Sequence, residues 1–202
     1  LWIPIILPVL AILTAFVTAF FLKYFAGMKD MEKLSKLINI DELTGLYNKR
    51  FFNENININL KYSSIYNKKF AIIMIDIDHF KQFNDKYGHL SGDTVLQQTA
   101  KVLSEEIGNS GVVCRYGGEE ICIILPHTDY NTAYDTALNL RRKIEETEYT
   151  MTNGEKTHVT ISLGVSVFPD NANSVTKLIE YADKGLYYAK EHGRNQVGKT
   201  EV

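Results

Sequence analysis

Two apolar runs separated by a short glycine-rich segment place the strongest constraint on how this chain folds. The first run ends in Val112-Val113-Cys114, the second covers residues 121–125, and Gly117-Gly118-Glu119-Glu120 lies between them. Adjacent glycines between strand-like runs are typical of a tight β-hairpin turn in which both central residues take positive φ. The sequence therefore predicts a hairpin with Glu119 and Glu120 at its tip, within reach of a ligand. An ordinary hairpin with solvated acids is the alternative for this motif taken alone.

A second apolar run ends directly in acidic residues. Residues 70–75 form an unbroken apolar stretch, which favours a strand covered on both faces, and Asp76-Ile77-Asp78 follows. Carboxylates at the end of a buried strand are costly unless they face water or bind a cation. Because Mg²⁺ is usually held by one or two protein carboxylates together with water and phosphates, Asp76 and Glu119 form a candidate metal pair.

The N-terminal segment, residues 1–22, contains no charged side chain. A helix of this length extends about 33 Å, enough to span a hydrocarbon core of roughly 30 Å. Residues 1–22 are therefore interpreted as a transmembrane helix, and a signal peptide or a buried core helix are the alternatives. Lysines follow the segment closely, so positive-inside bias places the C-terminal part in the cytoplasm. The chain begins inside this segment without an initiator Met, so an upstream sensory part is expected to be missing.

Residues 23–40 are interpreted as a linker helix. Its apolar positions lie near helical spacing, which favours either a short parallel coiled coil or an amphipathic helix packed on the next domain. The formal net charge of −2 argues against a nucleic-acid partner, since nucleic-acid binders usually carry a basic excess. Cys114 and Cys122 lie within the apolar hairpin strands and suit small core residues in a reducing compartment.

Residues 41–202 alternate between helical and strand patterns. Helices are expected near residues 48–66, 95–107 and 130–145. Within residues 161–167, apolar side chains alternate with small or polar ones, as in a half-buried strand. Ser174 can cap a final helix that Gly193 ends. This order predicts an α+β domain with a mostly antiparallel central sheet flanked by helices.

Five sequence blocks, in order, resemble the GGDEF-domain diguanylate cyclases: residues 41–50, 76–85, 87–93, 115–121 and 182–195. The resemblance covers about residues 41–197 and implies a ferredoxin-like, palm-type fold. It also implies a homodimer that condenses two GTP molecules into cyclic di-GMP and two pyrophosphates, each subunit holding one GTP. With the apolar segment, this indicates a cyclase tethered to the inner membrane of a bacterium, its catalytic domain facing the cytoplasm. A catalytically inactive module that binds GTP or cyclic di-GMP and acts by protein contact is the alternative, and a dimerising scaffold is a third reading.

The resemblance implies a site with two Mg²⁺ or Mn²⁺ ions. Its protein ligands would be Asp76, the Ile77 carbonyl and Glu119. Glu119 would also accept the 3′-hydroxyl proton. Glu120 follows it in a strand, so its side chain is expected on the other face, where it would reach a second metal or the opposite substrate, or would support the turn.

Further residues match the nucleotide-binding positions of the family. Lys81 would stabilise charge on the transferring phosphate, and the backbone amides of His79 and Phe80 would cradle phosphates. Lys190 and Arg194, one helical turn apart, would hold the triphosphate, although two cations at a helix end also suit the helix dipole alone. The residues that would read guanine and hold the nucleotide are Asn84, His89 and Asp93.

Two positions depart from the family pattern. Ile121 replaces the usual Phe, which should mainly alter packing. Gly108 and Gly111 stand where the product-binding inhibitory motif Arg-x-x-Asp carries its Arg and Asp. The sequence therefore predicts that the inhibitory site is absent.

Overall fold

The structure, a computed structural model, describes residues 13–26, 28, 38–151 and 153–198, which fall into two units, Leu1–Asn39 and Ile40–Val202. In the first unit, helix α1 covers residues 13–26, and its side chains are exposed. None of the helices in the described part of the chain is both long and apolar enough to cross a membrane. Residues 1–12 of the expected transmembrane helix lie outside the described residues, as do residues 29–37 of the expected linker helix.

The second unit is built on a six-stranded mixed sheet. Its strands are β1 (Tyr47–Asn48), β2 (Phe70–Ile77), β3 (Val112–Arg115), β4 (Glu120–Pro126), β7 (Ile161–Phe168) and β8 (Val197–Gly198). Their order across the sheet is β1-β3-β4-β2-β7-β8. The four central strands pair antiparallel, as expected, whereas the short edge strands β1 and β8 pair parallel with β3 and β7. Two further strands, β5 (Tyr149–Thr150) and β6 (Lys156–Thr157), form a separate hairpin.

Helices cover both faces of the sheet. The helices are α2 (Lys49–Tyr66), α3 (Phe80–Tyr87), α4 (His89–Ile107), α5 (Tyr130–Glu146) and α6 (Val175–Glu191). Apolar residues of α4 and α5 pack with one face of the sheet, and those of α2 and α6 pack with the other, which gives two hydrophobic cores. The short helix α3, which the sequence patterns did not predict, connects β2 to α4. Every residue of β2 is buried, as its unbroken apolar run predicted.

The expectation that β7 is half-buried is wrong, because all eight of its residues are buried. Its small residues lie under α6, which approaches the sheet closely. A Cβ at Gly164 would collide with the backbone of Ala182 and Leu186. In β8, a Cβ at Gly198 would likewise collide with the Gly185 carbonyl. Small side chains in these strands therefore reflect close helix packing and not exposure to water.

Two local predictions are confirmed at this level. Ser174 caps α6 by accepting a hydrogen bond from the Lys177 backbone N–H at 3.4 Å. Cys114 and Cys122 are free and fully buried opposite each other in β3 and β4. Burial raises the pKa of the Cys114 thiol to about 12, so it is an inert core side chain.

Candidate active site at the tip of the β3–β4 hairpin

The hairpin between β3 and β4 closes through a loop at residues 116–119. The Tyr116 backbone N–H donates to the Glu120 carbonyl at 2.8 Å, and that of Gly117 donates to the same oxygen at 3.2 Å. Neither Gly117 nor Gly118 has positive φ, so the expected turn with two positive-φ glycines is wrong. The loop is longer than a two-residue turn, and it does not need left-handed residues. Instead, a Cβ at Gly117 would meet the Glu120 carboxylate, and Gly118 faces open space.

Arg115 fastens this loop from within the hairpin. Its Nε donates to the Gly117 carbonyl at 3.2 Å, and its Nη2 donates to the Gly118 carbonyl at 2.8 Å. Its Nη1 lies 3.1 Å from both carboxylate oxygens of Asp41. Burial alone would raise the pKa of Asp41, but hydrogen bonds from Thr44 and Arg115 outweigh it and lower that pKa. Sequence reasoning gave no role to Arg115 or Asp41, although both lie in the blocks that carry the family resemblance.

The acidic residues converge beside the loop. Asp76, at the end of β2, is only 5% exposed and lies directly opposite Glu120 in the antiparallel register. Both residues therefore lie on the sheet face that α2 and α6 cover. Burial raises the pKa of Asp76, and Glu120 and Asp78 add to the effect, while Lys190 opposes it. Burial also raises the pKa of Glu119, and repulsion from Asp76 raises it further.

Glu120 belongs to this cluster and not to a separate site. Its charge raises the pKa of Asp76, and it contributes to the raised pKa of Glu119. The pKa of Asp183 on α6 is also raised, first by burial and then by Glu120. Lys49, which opposes that shift, lies 4.0 Å above the ring of Tyr116. The sequence did not predict that Asp183 and Lys49 belong to this cluster, because no role was assigned to either of them within its motif.

Lys190 supplies the positive charge nearest to the acidic cluster. Its Nζ lies 2.8 Å from Asp76 Oδ2. The expected helical spacing of Lys190 and Arg194 is wrong, because α6 ends at Glu191. Gly193 follows with a φ of 106°, and Arg194 takes a left-handed φ of 61°. Arg194 therefore lies in a tail beyond the helix, and no hydrogen bond or ion pair joins its guanidinium to the described residues.

The donor set fits a hard divalent cation. Asp76, Glu119 and the Ile77 carbonyl are oxygen donors, the kind that Mg²⁺ and Mn²⁺ prefer. Across residues 13–26, 28, 38–151 and 153–198, no group of three or more His, Cys, Asp or Glu side chains is arranged to hold a metal. Two carboxylates suffice for Mg²⁺ when substrate phosphates complete the coordination. Burial, together with repulsion from neighbouring carboxylates, raises the pKa of both Asp76 and Glu119, and a cation bound between them would oppose both effects.

Helix α3 begins directly beyond these carboxylates. His79 precedes it with a left-handed φ of 58°, and no side chain caps its first turn. Uncapped backbone N–H groups at a helix start favour phosphate, as expected for the amides of His79 and Phe80. Lys81 is the second residue of α3 and is exposed.

The three expected guanine-binding residues lie on the two helices joined at Gly88. Asn84 is on α3, and His89 and Asp93 are in the first two turns of α4. The Asn84 side chain lies against Gly92, where any Cβ would collide with its carboxamide. Asn84 Oδ1 is buried and has no hydrogen-bond partner among the described residues. Gly92 therefore shapes this site, a role that its place on a helix did not reveal.

At Gly108 and Gly111, where the inhibitory motif would carry its Arg and Asp, the backbone does not suit these side chains. Gly108 has a φ of 50°, a conformation that an Arg would adopt only with strain. A Cβ at Gly111 would lie 2.5 Å from the Ile124 carbonyl oxygen and 2.7 Å from Leu125 Cδ2. The backbone as well as the side chains thus departs from an Arg-x-x-Asp site.

Comparison with known proteins identifies the fold and its motifs. Residues 38–196 match the family model described as the diguanylate cyclase GGDEF domain. The chain belongs to the GGDEF-domain diguanylate cyclase family. This GGDEF domain has the α+β fold of that family, with helices on both faces of a mixed sheet.

Individual relatives agree with the family assignment. Diguanylate cyclase A of Treponema denticola is 43% identical over 127 residues, which are 63% of this chain and 34% of that protein. Diguanylate cyclase DosC of Escherichia coli K12 is 32% identical over 160 residues, 79% of this chain and 35% of that protein. The chain thus spans about a third of the length of these curated relatives. The coiled coil and GGDEF domain of DgcB from Caulobacter crescentus, solved in complex with c-di-GMP, matches with a TM-score of 0.81 and 25% identity, covering 93% of this chain and 99% of that one.

Proposed function

We propose that this GGDEF domain is an active diguanylate cyclase that condenses two GTP molecules into cyclic di-GMP and two pyrophosphates. The observation that carries the proposal is the contact between Asp76 and Lys190 beside Glu119. It supports the proposal because a candidate metal ligand and a candidate triphosphate-binding cation lie side by side at one end of the sheet. Phosphoryl transfer is catalysed mainly by positioning and by neutralising charge, and this combination serves both.

Asp76, Glu119 and the Ile77 carbonyl would hold Mg²⁺ or Mn²⁺, with two ions in each active site. Bound metal supplies charge neutralisation at the attacking and leaving oxygens. Glu119 accepts the proton of the 3′-hydroxyl. Lys81 and the amides of His79 and Phe80 bind phosphate oxygens.

Lys190 and Arg194 hold the triphosphate, and Asn84, His89 and Asp93 bind guanine. The buried, unpartnered Oδ1 of Asn84 supports a ligand contact at this position, because orphaned buried polar atoms are rare. The carboxamide can rotate by about 180°, so that either its donating nitrogen or its accepting oxygen faces the base.

Each domain holds one GTP, so the reaction requires a homodimer in which two sites face each other. The uncharged sequence of residues 1–22 supports a membrane tether, and the lysines that follow support a cytoplasmic position for the catalytic domain.

The direct test is to incubate the domain with GTP and Mg²⁺ and to separate the nucleotide products by chromatography. We expect cyclic di-GMP and pyrophosphate in a 1:2 ratio, and no product when EDTA is present. Binding of the nucleotide without any product at high protein concentration would instead favour an inactive module that signals by contact.

Dilution tests the requirement for a dimer. The rate per subunit should fall as the domain is diluted, because each subunit presents only one substrate. The oligomeric state is followed by light scattering over the same concentrations. A rate per subunit that stays constant in a fully monomeric range would contradict the dimeric mechanism.

A further inference from the structure

Asp78 is a buried carboxylate to which neither the sequence nor the proposed mechanism assigns a role. It lies one residue beyond β2 and is 7% exposed. Three donors converge on it. Thr160 Oγ1 lies 2.6 Å from its Oδ2, Ser162 Oγ lies 2.7 Å from its Oδ1, and the Asn195 backbone N–H donates to its Oδ2 at 2.9 Å. Thr160 directly precedes β7 and Ser162 is its second residue, whereas the third donor lies in the tail beyond α6.

That tail has an unusual backbone. Arg194 and Asn195 are consecutive non-glycine residues with left-handed φ values of 61° and 47°. Such a conformation is unfavourable for L-residues and persists only where surrounding contacts hold it. The tail must therefore be fixed from outside.

Contacts from three directions hold the tail. The Asn195 side chain donates to Glu145 Oε1 at 2.6 Å and accepts from Arg141 Nη1 at 3.1 Å, both on α5. The Arg194 backbone N–H donates to the Ala189 carbonyl of α6 at 2.9 Å. Asp78, directly beyond the strand that carries Asp76, provides the third contact. A carboxylate can accept from all three of its donors at once.

We propose that Asp78 is a positioning residue that sets the place of Arg194 relative to Asp76. The end of β2 thus carries two carboxylates with different tasks. Asp76 contacts Lys190 and belongs to the reacting site, whereas Asp78 fixes the tail that presents the Arg194 guanidinium to the triphosphate. This inference rests on the proposed GTP-binding function.

The test compares two ligands in calorimetric titrations of Asp78→Asn and the wild-type protein. One ligand is a non-hydrolysable GTP analogue with Mg²⁺, and the other is GMP, which lacks the β- and γ-phosphates. We expect the variant to bind the analogue about tenfold more weakly, as for the loss of one charge-assisted contact, and to bind GMP within about twofold of wild type. Ser162→Ala is the matched control, because it removes a donor from Asp78 and leaves the bond to Asn195 in place.

A double-mutant cycle with Arg194→Ala separates positioning from a direct effect on the metal pair. If Asp78 acts through Arg194, the double variant binds the analogue no more weakly than Arg194→Ala alone. Additive losses, or an equal loss for GMP, would overturn the inference. If circular dichroism shows that Asp78→Asn does not fold, Asp78→Glu enters the same cycle with the same expected outcome.

The outcomes also separate this inference from the proposed function. A wild-type protein that does not bind the analogue would refute the proposed function, and the inference would fall with it. A wild-type protein that binds the analogue and an Asp78→Asn protein that binds it equally well would refute the inference alone.

Discussion

The two ends of the β3–β4 hairpin are both rich in glycine, but the missing side chains serve different purposes. At the tip, Gly118 faces open space beside Glu119, a half-buried acid whose pKa burial raises. At the opposite end, Gly111 is packed against the backbone of Ile124, and no ionic group stands at the two inhibitory-motif positions. Glycine therefore leaves room for a ligand at one end and for the protein itself at the other. Of these two ends, the tip is the one at which we propose the reaction.

The largest effect should come from Glu119→Gln at the tip. The change removes the charge of a proposed metal ligand, and metal-based charge stabilisation is worth several kcal/mol, so the turnover rate should fall by at least about 100-fold. Product formation from GTP and Mg²⁺ measures this effect. Glu105→Gln is the matched control, because Glu105 lies exposed on α4 and its ion-pair partner there is the exposed Lys101. A variant that retains more than a tenth of the wild-type rate would remove Glu119 from the mechanism.

The second-largest effect concerns the binding of cyclic di-GMP at the opposite end of the hairpin, near Gly108 and Gly111. A typical inhibitory site gives charge-assisted hydrogen bonds worth about 1.5 to 3 kcal/mol each, so its loss should weaken cyclic di-GMP binding well over tenfold. The measurement is a calorimetric titration of cyclic di-GMP with the active site filled by a non-hydrolysable GTP analogue. Restoring the motif as Gly108→Arg with Gly111→Asp should not rescue binding, because the backbone opposes both side chains. Tight binding to the wild-type domain would show that other residues have rebuilt the site.

Matched alanine substitutions test the contrast between the two glycines. Gly111 has an extended backbone with a φ of −166°, so any penalty of Gly111→Ala comes from packing and not from strain. We expect a loss of about 1 to 3 kcal/mol in the free energy of unfolding. For Gly118→Ala, which meets nothing within 4 Å, the expected change is within about 0.5 kcal/mol. Urea titrations of both variants provide the comparison. Equal losses of stability would show that Gly111 is no more tightly packed than Gly118.

The smallest effect concerns pH and the stability of the nucleotide-free domain. Because burial raises the pKa of Glu119 above its ordinary value of 4.5, the folded state binds its proton more tightly than the unfolded state does. The resulting stability is fully present below the unfolded pKa and is lost as pH rises through the folded pKa. Glu119→Gln should therefore melt slightly above wild type at pH 7 and close to it at pH 4, without metal. The prediction is wrong if thermal melts between pH 4 and pH 7 show a constant or a reversed difference in melting temperature between the variant and the wild type.

Much of the fold was predictable because long elements carry strong patterns. The unbroken apolar run of β2 and the periodic apolar face of α4 determine where each lies, since burial of these stretches dominates their local energetics. Short elements were missed. Helix α3, with the sequence Phe-Lys-Gln-Phe-Asn-Asp-Lys-Tyr, is too short and polar for a clear period. The small residues of β7 were misread as exposed, because a sequence pattern does not show how closely another helix approaches.

The site was predictable to the level of residue types but not of contacts. Motif positions identified Asp76, Glu119 and Lys190, and the structure brings all three together. The left-handed tail that carries Arg194 was not predictable, since Gly193 indicates the end of a helix but not the path beyond it. The same limit applies to Asp78, whose three partners are 82 to 117 residues away in sequence.

The close approach of α6 to the sheet bears on how the gene tolerates random change. Gly164 and Gly198 allow the helix that carries Lys190 to lie close against the strands. A methyl group at Gly164 or Gly198 would push the helix outward and carry Lys190 away from Asp76. In a library of single substitutions, inactive clones should therefore map to these two buried glycines as well as to the hairpin tip, although neither glycine touches a nucleotide in the proposed mechanism.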